Sequence, residues 1–427
     1  MANKYIIKNA IITDGVSRLM DNGAIMVDDG KIAALDPENK LSDASAEIID
    51  AGGRIVIPGL ANPHHHLYSR FAVGLSPLGP ADKLSEILNH LWWPLDRALD
   101  EETVYYSALS GIIDSIKYGV TTVFDHHASN SFVKGSLNTI QKAFQEAGIK
   151  GVLAYEVSDR EGKDIFREQV EENVDFYQKN QNNANLKGMM GLHANFTLSR
   201  DSLQFLRKVM PEGMAIHTHC GEGKEDFDFC VEDGFAGPVD RLNAFGLIDE
   251  ASFLIHCIHL SEKDFRIINE KNPVVVSNPE SNANNGVGVM NTEKIRNYVI
   301  GTDGMSGNII GSHRSHFLRR NGNVDNPLGK LFQNTSQLVH SVYPDSGGLE
   351  PGKRADIAVL DYIPETPVKL DNLFFHLIMG FGAQQTWMTM ANGKILFKEG
   401  KIQQLDETAL KADFQKAAKK LHRRFYE

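Results

Sequence analysis

The middle of the chain alternates short apolar runs with longer stretches of helical periodicity, which is typical of βα units around a parallel sheet. Eight apolar runs are predicted to be strands: Ile55–Leu60, Thr121–Phe124, Gly151–Tyr155, Gly188–Leu192, Met214–His217, Phe253–Ile255, Val274–Val276 and Tyr298–Gly301. Eight parallel strands close a TIM (β/α)8 barrel. The pattern therefore predicts an α/β protein built around such a barrel.

Both ends of the chain show a second pattern, in which short β segments are separated by Asp-Gly and Gly-Gly turn signals. Five such segments lie in the first 58 residues, and three more lie near the carboxyl end, where Asn392-Gly393 predicts a hairpin. Neither group is large enough to bury a face by itself, so we expect the two to combine into one small β-sandwich. The predicted domains are this composite sandwich, residues 1–58 with 349–427, and the barrel, residues 59–348.

Polar side chains that can bind a metal or carry a proton follow the predicted barrel strands. In strand order they are His64 and His66, Asp125 and His126, Glu156, His193, His219, His256, Asn278 and Asp303. A TIM barrel keeps its active site at the carboxyl ends of its strands. Core packing would not place such residues at the same end of every strand, so the pattern predicts a catalytic site at that rim.

Two His-x-His pairs carry the strongest chemical signal. Residues i and i+2 of an extended segment point to the same side, so His64 and His66 can bind one ion while His65 points away. In the second pair, either His217 or His219 could be a ligand. Both pairs follow or end apolar strands, and this position favours metal binding over an ordinary surface histidine run.

Two acidic residues and one further histidine complete the candidate chemistry. Glu222 follows the second pair, where it could transfer protons or simply begin an acidic surface loop. Asp303 precedes a glycine, as turn residues often do, but it follows the last predicted strand and faces the same rim as His256. Three imidazoles and one carboxylate, with room for water, are a donor set for a catalytic zinc or iron ion.

Composition excludes other classes of protein. The 44 basic and 55 acidic residues give a net charge of −11, the wrong sign for a nucleic-acid-binding protein. The three cysteines have no Cys-x-x-Cys spacing and cannot build a disulfide framework, which favours a reducing compartment. The amino-terminal segment is too polar for a signal peptide or a membrane span. We therefore expect a cytoplasmic protein that binds neither nucleic acid nor membrane.

Several segments match the motifs of one known family, in order along most of the chain. They are PGLANPHHH (58–66), HTHCGE (217–222), IHCIHL (255–260) and GTDG (301–304). These resemble the amidohydrolase superfamily, and LHANFTLS (192–199), NPESN (278–282) and GLEPGKRAD (348–356) resemble its ATZ/TRZ branch. That branch includes guanine, cytosine and adenosine-type deaminases and triazine hydrolases. The NPESN loop is most similar to that of an aminohydrolase associated with selenium-dependent purine metabolism.

The resemblance implies one divalent metal ion per chain, zinc or iron, held by His64, His66, His219 and Asp303. It also implies roles in proton transfer. Asp303 would accept a proton from the attacking water, His256 would orient that nucleophile or stabilise the oxyanion, and Glu222 would protonate the ring nitrogen beside the attacked carbon. His193, at the end of the fourth strand, is predicted to contact the substrate.

The predicted function is hydrolytic deamination of a small nitrogen heterocycle, such as a purine, pyrimidine, pterin or triazine, by a homo-oligomer of two or more chains. A binuclear cyclic amidase is an alternative, but it would need a carboxylated lysine where His193 stands. Hydrolases that expel chloride or attack a formimino carbon, and an inactive barrel scaffold, are further alternatives. The sequence leaves open the roles of five histidines, of which the pair after the second strand is predicted to be structural: His65, His126, His127, His217 and His259.

Overall fold

A computed structural model describes residues 4–295 and 297–427 of the chain. Its strands form two sheets of nine strands each. One sheet, here called the terminal sheet, combines strands from both ends of the chain, and the other is a parallel barrel from the middle. This arrangement confirms the predicted α/β fold, with a TIM barrel and a β unit built from both termini.

The strands of the terminal sheet are β1 (Tyr5–Thr13), β2 (Leu19–Asp28), β3 (Lys31–Asp36), β4 (Glu47–Asp50), β5 (Ile55–Pro58), β15 (Ile357–Leu360), β16 (Thr386–Ala391), β17 (Lys394–Lys398) and β18 (Lys401–Ile402). The strands of the barrel are β6 (Leu60–His65), β7 (Val120–His127), β8 (Lys150–Val157), β9 (Leu186–Gly188), β10 (Met190–Leu192), β11 (Ile216–Cys220), β12 (Phe253–His256), β13 (Val274–Ser277) and β14 (Val299–Ile300).

Helices connect the barrel strands, and the last element of the chain is also a helix. They are α1 (Leu84–Ile87), α2 (Trp93–Ala98), α3 (Glu101–Lys117), α4 (Ser136–Ala147), α5 (Lys163–Asn180), α6 (Arg200–Val209), α7 (Lys224–Glu232), α8 (Pro238–Ala244), α9 (Glu262–Lys271), α10 (Pro279–Asn284), α11 (Ile309–Arg319), α12 (Thr335–Val342), α13 (Leu373–Phe375) and α14 (Glu407–Tyr426). Short 3-10 turns span Leu67–Ala72 and Asn195–Thr197, and π-helical turns span Leu88–Trp92, Gly329–Asn334 and His376–Phe381. None of the described helices combines the length and hydrophobicity needed to cross a membrane.

The terminal sheet joins the two ends of the chain through one pair of strands. β5 pairs antiparallel with β15, so that Val56 lies opposite Val359, and β1 pairs with β5 on the other side. The inner face is aliphatic, with Ile12, Ile25 and Ile357 fully buried. Strands from both ends of the chain therefore form one sheet. The proposed domain limits at residues 58 and 349 remain a prediction.

The first barrel strand begins later than the apolar pattern predicted. Ile55–Pro58 belongs to the terminal sheet, and the barrel begins with Leu60, so the predicted strand Ile55–Leu60 was wrong. The chain crosses from one sheet to the other at Gly59, where an added Cβ would lie 2.6 Å from the Thr121 side chain. Strands lie directly on both sides of this glycine, so the two strands form one nearly continuous apolar run in the sequence.

The barrel is parallel throughout and closes between its first and last strands. The predicted run Gly188–Leu192 is interrupted at Met189, and its two parts, β9 and β10, both pair with β8. The amide groups of Thr302 and Asp303 donate to the carbonyl oxygen of His64 at 3.1 and 3.0 Å. This closure places the residues that follow the last strand beside the histidines of the first.

A buried ion pair joins the terminal sheet to the amino-terminal end of the barrel. Lys150, the first residue of β8, is fully buried, and its Nζ lies 2.6 Å from Oδ2 of Asp356. The other carboxylate oxygen of Asp356 accepts the amide of Asn392 at 3.0 Å. Since Lys150 begins its strand, this joint lies at the opposite end of the barrel from the polar rim.

Candidate active site

Four potential metal ligands meet at the carboxyl end of the barrel. His64 lies in β6 and His66 directly after it, while His219 lies in β11. The Nε2 atoms of His66 and His64 lie 2.9 and 3.4 Å from Oδ1 of Asp303. Nε2 of His219 is 3.2 Å from Nε2 of His66, and the four ligand atoms all lie within 4.8 Å of one another. The structure thus brings together the four residues that the sequence predicted as ligands.

Carbonyl acceptors assign the tautomers of two of the three histidines. Nδ1–H of His66 donates to the carbonyl oxygen of His126 at 2.6 Å, and Nδ1–H of His219 donates to that of His193 at 3.2 Å. Nδ1 of His64 lies 2.8 Å from Nε2 of His217, a pair in which either nitrogen can be the donor. A neutral imidazole that donates from Nδ1 carries a lone pair on Nε2. The Nε2 lone pairs of His66 and His219 are therefore directed toward Asp303, and that of His64 joins them when its Nδ1 donates to His217.

The converging atoms fit a divalent cation. Nε2 of His64 is buried and has no hydrogen-bond partner among the described residues. When the rings are neutral and His64 carries its hydrogen on Nδ1, three lone pairs and the Asp303 carboxylate face one another, an arrangement that needs a positive charge between them. Carbonyl partners on Nδ1 are also usual for metal-binding imidazoles, whose orientation they fix. These residues form a site for a divalent metal ion.

Glu222 and His256 lie beside the four metal-ligand residues. Nε2 of His256 is 3.5 Å from Oε2 of Glu222 and 3.7 Å from Oδ2 of Asp303. Burial raises the pKa of Glu222, His256 opposes this rise, and the Asp303 carboxylate adds to it. A carboxyl group with a raised pKa keeps its proton to a higher pH than usual, as a general acid needs. The three groups are therefore placed to exchange protons.

A cavity adjoins these groups at the mouth of the barrel. Its volume is about 820 Å³, including its opening to solvent, and His193 lies in its wall. Nδ1 of His193 is 3.1 Å from Oγ1 of Thr197, and its ring centre lies 5.8 Å from that of His219 and 6.1 Å from that of Trp93. Aromatic faces with a few convergent polar groups are typical of ligand pockets. His193 is thus placed where a bound molecule would contact it.

The histidines whose roles the sequence left open support the rim through hydrogen bonds. Their nitrogen atoms contact the carbonyl oxygen of Asp303 (2.6 Å, from His65), the carbonyl oxygen of His217 (3.1 Å, from His126), Oγ of Ser129 (2.8 Å, from His127), Nδ1 of His64 (2.8 Å, from His217) and the carbonyl oxygen of Val287 (3.1 Å, from His259). The second-strand carboxyl group of Asp125 accepts the amide of Leu67 at 2.8 Å. Except for Ser129, which is two positions from His127, the partners are distant in the chain, so the sequence could not assign these contacts.

Beside two carboxyl groups of the cavity wall lies a charged group that the sequence did not single out. Nη2 of Arg160 lies 2.8 Å from Oδ2 of Asp96 and 3.3 Å from Oε1 of Glu156, and its guanidinium covers the ring of Trp93 at 4.8 Å. Burial raises the pKa of Asp96 to about 6 and that of Glu156 to about 7, although Arg160 lowers both. The sequence did not single out Asn285 either. Its Nδ2 donates to Oε1 of Glu222 at 3.1 Å.

Comparisons with known proteins agree with this geometry. The chain matches the model of the amidohydrolase family over residues 55–402. The 5'-deoxyadenosine deaminase of Methanococcus vannielii is 29% identical over 421 residues, which cover 94% of this chain and 96% of that protein.

Two solved structures share the fold. An adenosine deaminase from Xanthomonas campestris with bound zinc has a TM-score of 0.85 at 19% identity and covers 98% of each chain. Atrazine chlorohydrolase from Arthrobacter aurescens TC1, complexed with zinc, has a TM-score of 0.80 at 19% identity and covers 97% of this chain and 100% of that one. The family model matches most of the chain, and the four metal-ligand residues lie at the carboxyl end of the barrel. This protein belongs to the amidohydrolase family.

Proposed function

We propose that this protein is a metal-dependent hydrolytic deaminase that removes an exocyclic amino group from a small nitrogen heterocycle. One observation carries the proposal: a partly buried carboxyl group, Glu222, and an imidazole, His256, lie beside the four metal-ligand residues and next to a cavity. The relative from Methanococcus vannielii is named for deamination of 5'-deoxyadenosine. An adenine or related aminopurine ring would present the same bond to the site.

The two oxygen atoms of Asp303 face different partners, which allows it two roles. Oδ1 faces the ligand histidines, while Oδ2 lies on the side of His256. Asp303 would therefore bind the metal through Oδ1 and accept a proton from the attacking water at Oδ2. Glu222 would protonate the ring nitrogen beside the attacked carbon, and His256 would stabilise the developing oxyanion. The proton taken up by Asp303 would then pass to the amino group, so that the C–N bond breaks and ammonia leaves, and the hydroxyl proton of the intermediate would return to Glu222. His193 would contact the heterocycle from the cavity wall.

The proposed cofactor is one zinc ion per chain, held by the cluster of His64, His66, His219 and Asp303. A bound divalent cation lowers the pKa of water from about 15.7 toward about 7–9, which makes a nucleophile available at neutral pH. We favour zinc over iron because two structural neighbours are described with zinc. Mixed imidazole and carboxylate ligands suit both metals.

The charge of the cavity supports a neutral substrate. No lysine or arginine of the described residues lines it. Five residues with carboxyl groups do: Asp96, Glu156, Glu222, Asp226 and Asp303. The nearby guanidinium of Arg160 is already paired with two of them. A phosphate or carboxylate on the substrate would meet a wall rich in carboxyl groups, with no lysine or arginine of the described residues lining it to pair with the added charge. We therefore propose an uncharged aminopurine, or its nucleoside, as the substrate class.

Ammonia release tests the proposal directly. The zinc-loaded protein would be incubated with aminated purines, pyrimidines, pterins and triazines, with 5'-deoxyadenosine and adenosine 5'-monophosphate as a matched neutral and anionic pair. We expect ammonia from at least one neutral compound and much less from the anionic partner of that compound. Release from none of the panel by the fully metal-loaded protein would contradict the deaminase assignment.

A second cluster favours one alternative, a binuclear hydrolase of a cyclic amide. Ligand atoms of His126, Glu156 and His219 also lie within 4.8 Å of one another. Nδ1 of His126 is buried without a hydrogen-bond partner among the described residues, 3.6 Å from Oε2 of Glu156. Elemental analysis separates the two functions. One metal equivalent that is retained in His126→Asn supports the deaminase, whereas two equivalents and a ring-opened acid product support the cyclic amidase.

A further inference from the structure

The segment that contains helix α10 contacts both proton-handling groups of the site. Oδ1 of Asn282 lies 2.7 Å from Nδ1 of His256, and Nδ2 of Asn285, which directly follows the helix, lies 3.1 Å from Oε1 of Glu222. Residues three positions apart lie on the same face of a helix. One face of this segment therefore holds the histidine and the carboxyl group together.

The bond to Asn282 leaves one nitrogen of His256 available. Nδ1–H donates to the amide oxygen, so Nε2 carries the lone pair and can accept a proton. Nε2 is buried, has no hydrogen-bond partner in the described part of the chain, and faces Oε2 of Glu222 at 3.5 Å. The atom of His256 that faces Glu222 is thus the one free for proton exchange.

The orientation of the Asn285 amide is also fixed. Its Oδ1 accepts Nδ2 of Asn284 at 3.1 Å, so its own Nδ2 points toward Glu222 and toward Oγ of Ser281 at 3.4 Å. Only the nitrogen of this amide is a donor. Oε1 of Glu222 therefore accepts an N–H bond, while Oε2 receives none from the residues that the structure describes.

This difference makes the two oxygen atoms of Glu222 inequivalent. A hydrogen bond from a donor favours the unprotonated form of the oxygen that accepts it. When Glu222 is protonated, its hydrogen is therefore carried by Oε2. That oxygen is the one that faces His256.

We propose that Asn285 is a positioning residue for proton transfer: by donating to Oε1, it directs the transferable proton of Glu222 to Oε2. The proposal rests on the proposed function, because it assumes that Glu222 delivers a proton to the substrate. Asn285 acts through Glu222 and takes no part in bond making. It should therefore affect the rate of proton transfer more than substrate binding.

Two substitutions separate donation from space filling. Asn285→Ala removes the donor and the volume, whereas Asn285→Asp keeps the volume but replaces the donor with an acceptor. We expect both to lower kcat by about 10- to 100-fold, less than the 10²–10⁴ associated with loss of general acid–base catalysis itself. Asn269→Ala on α9 is the control, because this exposed asparagine makes one bond from Nδ2 to the carbonyl oxygen of Lys294 at 3.4 Å.

Three readouts distinguish positioning from a general structural role. With the neutral substrate found in the panel, we expect kcat to fall while KM changes less than about threefold. The solvent deuterium isotope effect on kcat should rise as proton transfer becomes slower, and bound metal should stay constant. An Asn285→Asp variant with wild-type kcat would overturn the proposal, since a space-filling residue predicts that result.

Crystal structures of the wild type and Asn285→Asp test the geometry without any activity. We expect Oε1 of Glu222 within hydrogen-bond distance of Nδ2 of Asn285 in the wild type, and the carboxyl group turned away in Asn285→Asp. An unchanged carboxyl position in Asn285→Asp would overturn the inference even if deamination is established. Absence of ammonia release from the whole panel would instead reject the proposed function, so the two failures can be told apart.

Discussion

The inner face of the terminal sheet and the carboxyl end of the barrel bury different kinds of side chain. The inner face of the terminal sheet is aliphatic, with Ile12, Ile25 and Ile357 fully buried. The carboxyl end of the barrel instead buries imidazole and carboxyl groups, such as His64 and Asp303, whose atoms face one another. Apolar contacts stabilise a fold wherever they form, whereas facing acceptors cost free energy unless a cation binds.

This contrast separates stability from chemistry along the barrel axis. The terminal sheet joins the amino-terminal end of the barrel through Lys150 and Asp356, while the metal ligands lie at the carboxyl end. Residues at the carboxyl end of a TIM barrel usually serve catalysis, and residues at the opposite end serve stability. Substitutions in the two regions should therefore have different effects, on metal and turnover in one and on unfolding in the other.

The largest effect is expected from loss of a metal ligand. His64→Ala should remove most of the bound metal and lower activity by more than about 10⁴-fold, because the remaining groups cannot complete the site. His259→Ala is the matched control, since His259 contacts the carbonyl oxygen of Val287 and none of the four ligands. Elemental analysis and ammonia release measure both. Full metal content in His64→Ala would contradict the ligand assignment.

Loss of the proton-handling carboxyl group should affect turnover alone. Glu222→Gln should lower kcat by about 10²–10⁴-fold and leave metal content unchanged, because the amide has the size of the acid but cannot transfer its proton. Glu225→Gln, at an exposed glutamate of α7, is the control. Metal analysis with steady-state kinetics checks this. If the metal is lost together with the activity, Glu222 is itself a ligand and its role must be reassigned.

At the other end of the barrel, the effect should fall on stability. Lys150→Met leaves the buried carboxylate of Asp356 without its partner, and we expect a loss of about 3–5 kcal/mol in the free energy of unfolding. Adding Asp356→Asn removes the unpaired charge and should restore part of this loss. Urea unfolding followed by circular dichroism measures both variants. A loss below about 1 kcal/mol in Lys150→Met would show that the pair does not join the two sheets.

The smallest expected effect concerns the aliphatic face of the terminal sheet. Ile357→Val removes one buried methylene group and should lower the free energy of unfolding by about 0.5–1.5 kcal/mol. Metal content and kcat should equal those of the wild type below the unfolding transition. A several-fold change in kcat with this variant would mean that the terminal sheet influences the active site, and the separation described above would fail.

The sequence predicted the parts of this molecule that depend on local patterns. His64 and His66 share one side of an extended segment, and Asp303 follows an apolar strand, so their meeting at one rim follows from the barrel itself. The first strand was misplaced because β5 and β6 form nearly continuous extended chain that two sheets share at Gly59.

Contacts between distant elements were beyond the reach of the sequence. Arg160 meets Asp96 from 64 positions away, and Asn285 meets Glu222 from 63 positions away. Neither contact follows from a spaced motif, and Arg160, Asp96 and Asn285 are residue types that are mostly exposed in proteins. Only the fold shows that these side chains lie in or beside the cavity wall.

The source of the oxygen atom in the product tests the central claim most directly. The metal-loaded protein would be incubated in ¹⁸O-labelled water with the neutral heterocycle that releases ammonia, and the product would be examined by mass spectrometry. Hydrolytic deamination predicts one ¹⁸O atom on the carbon that lost its amino group, with the ring intact. A product whose oxygen comes from O₂, or a ring-opened acid, would contradict the account.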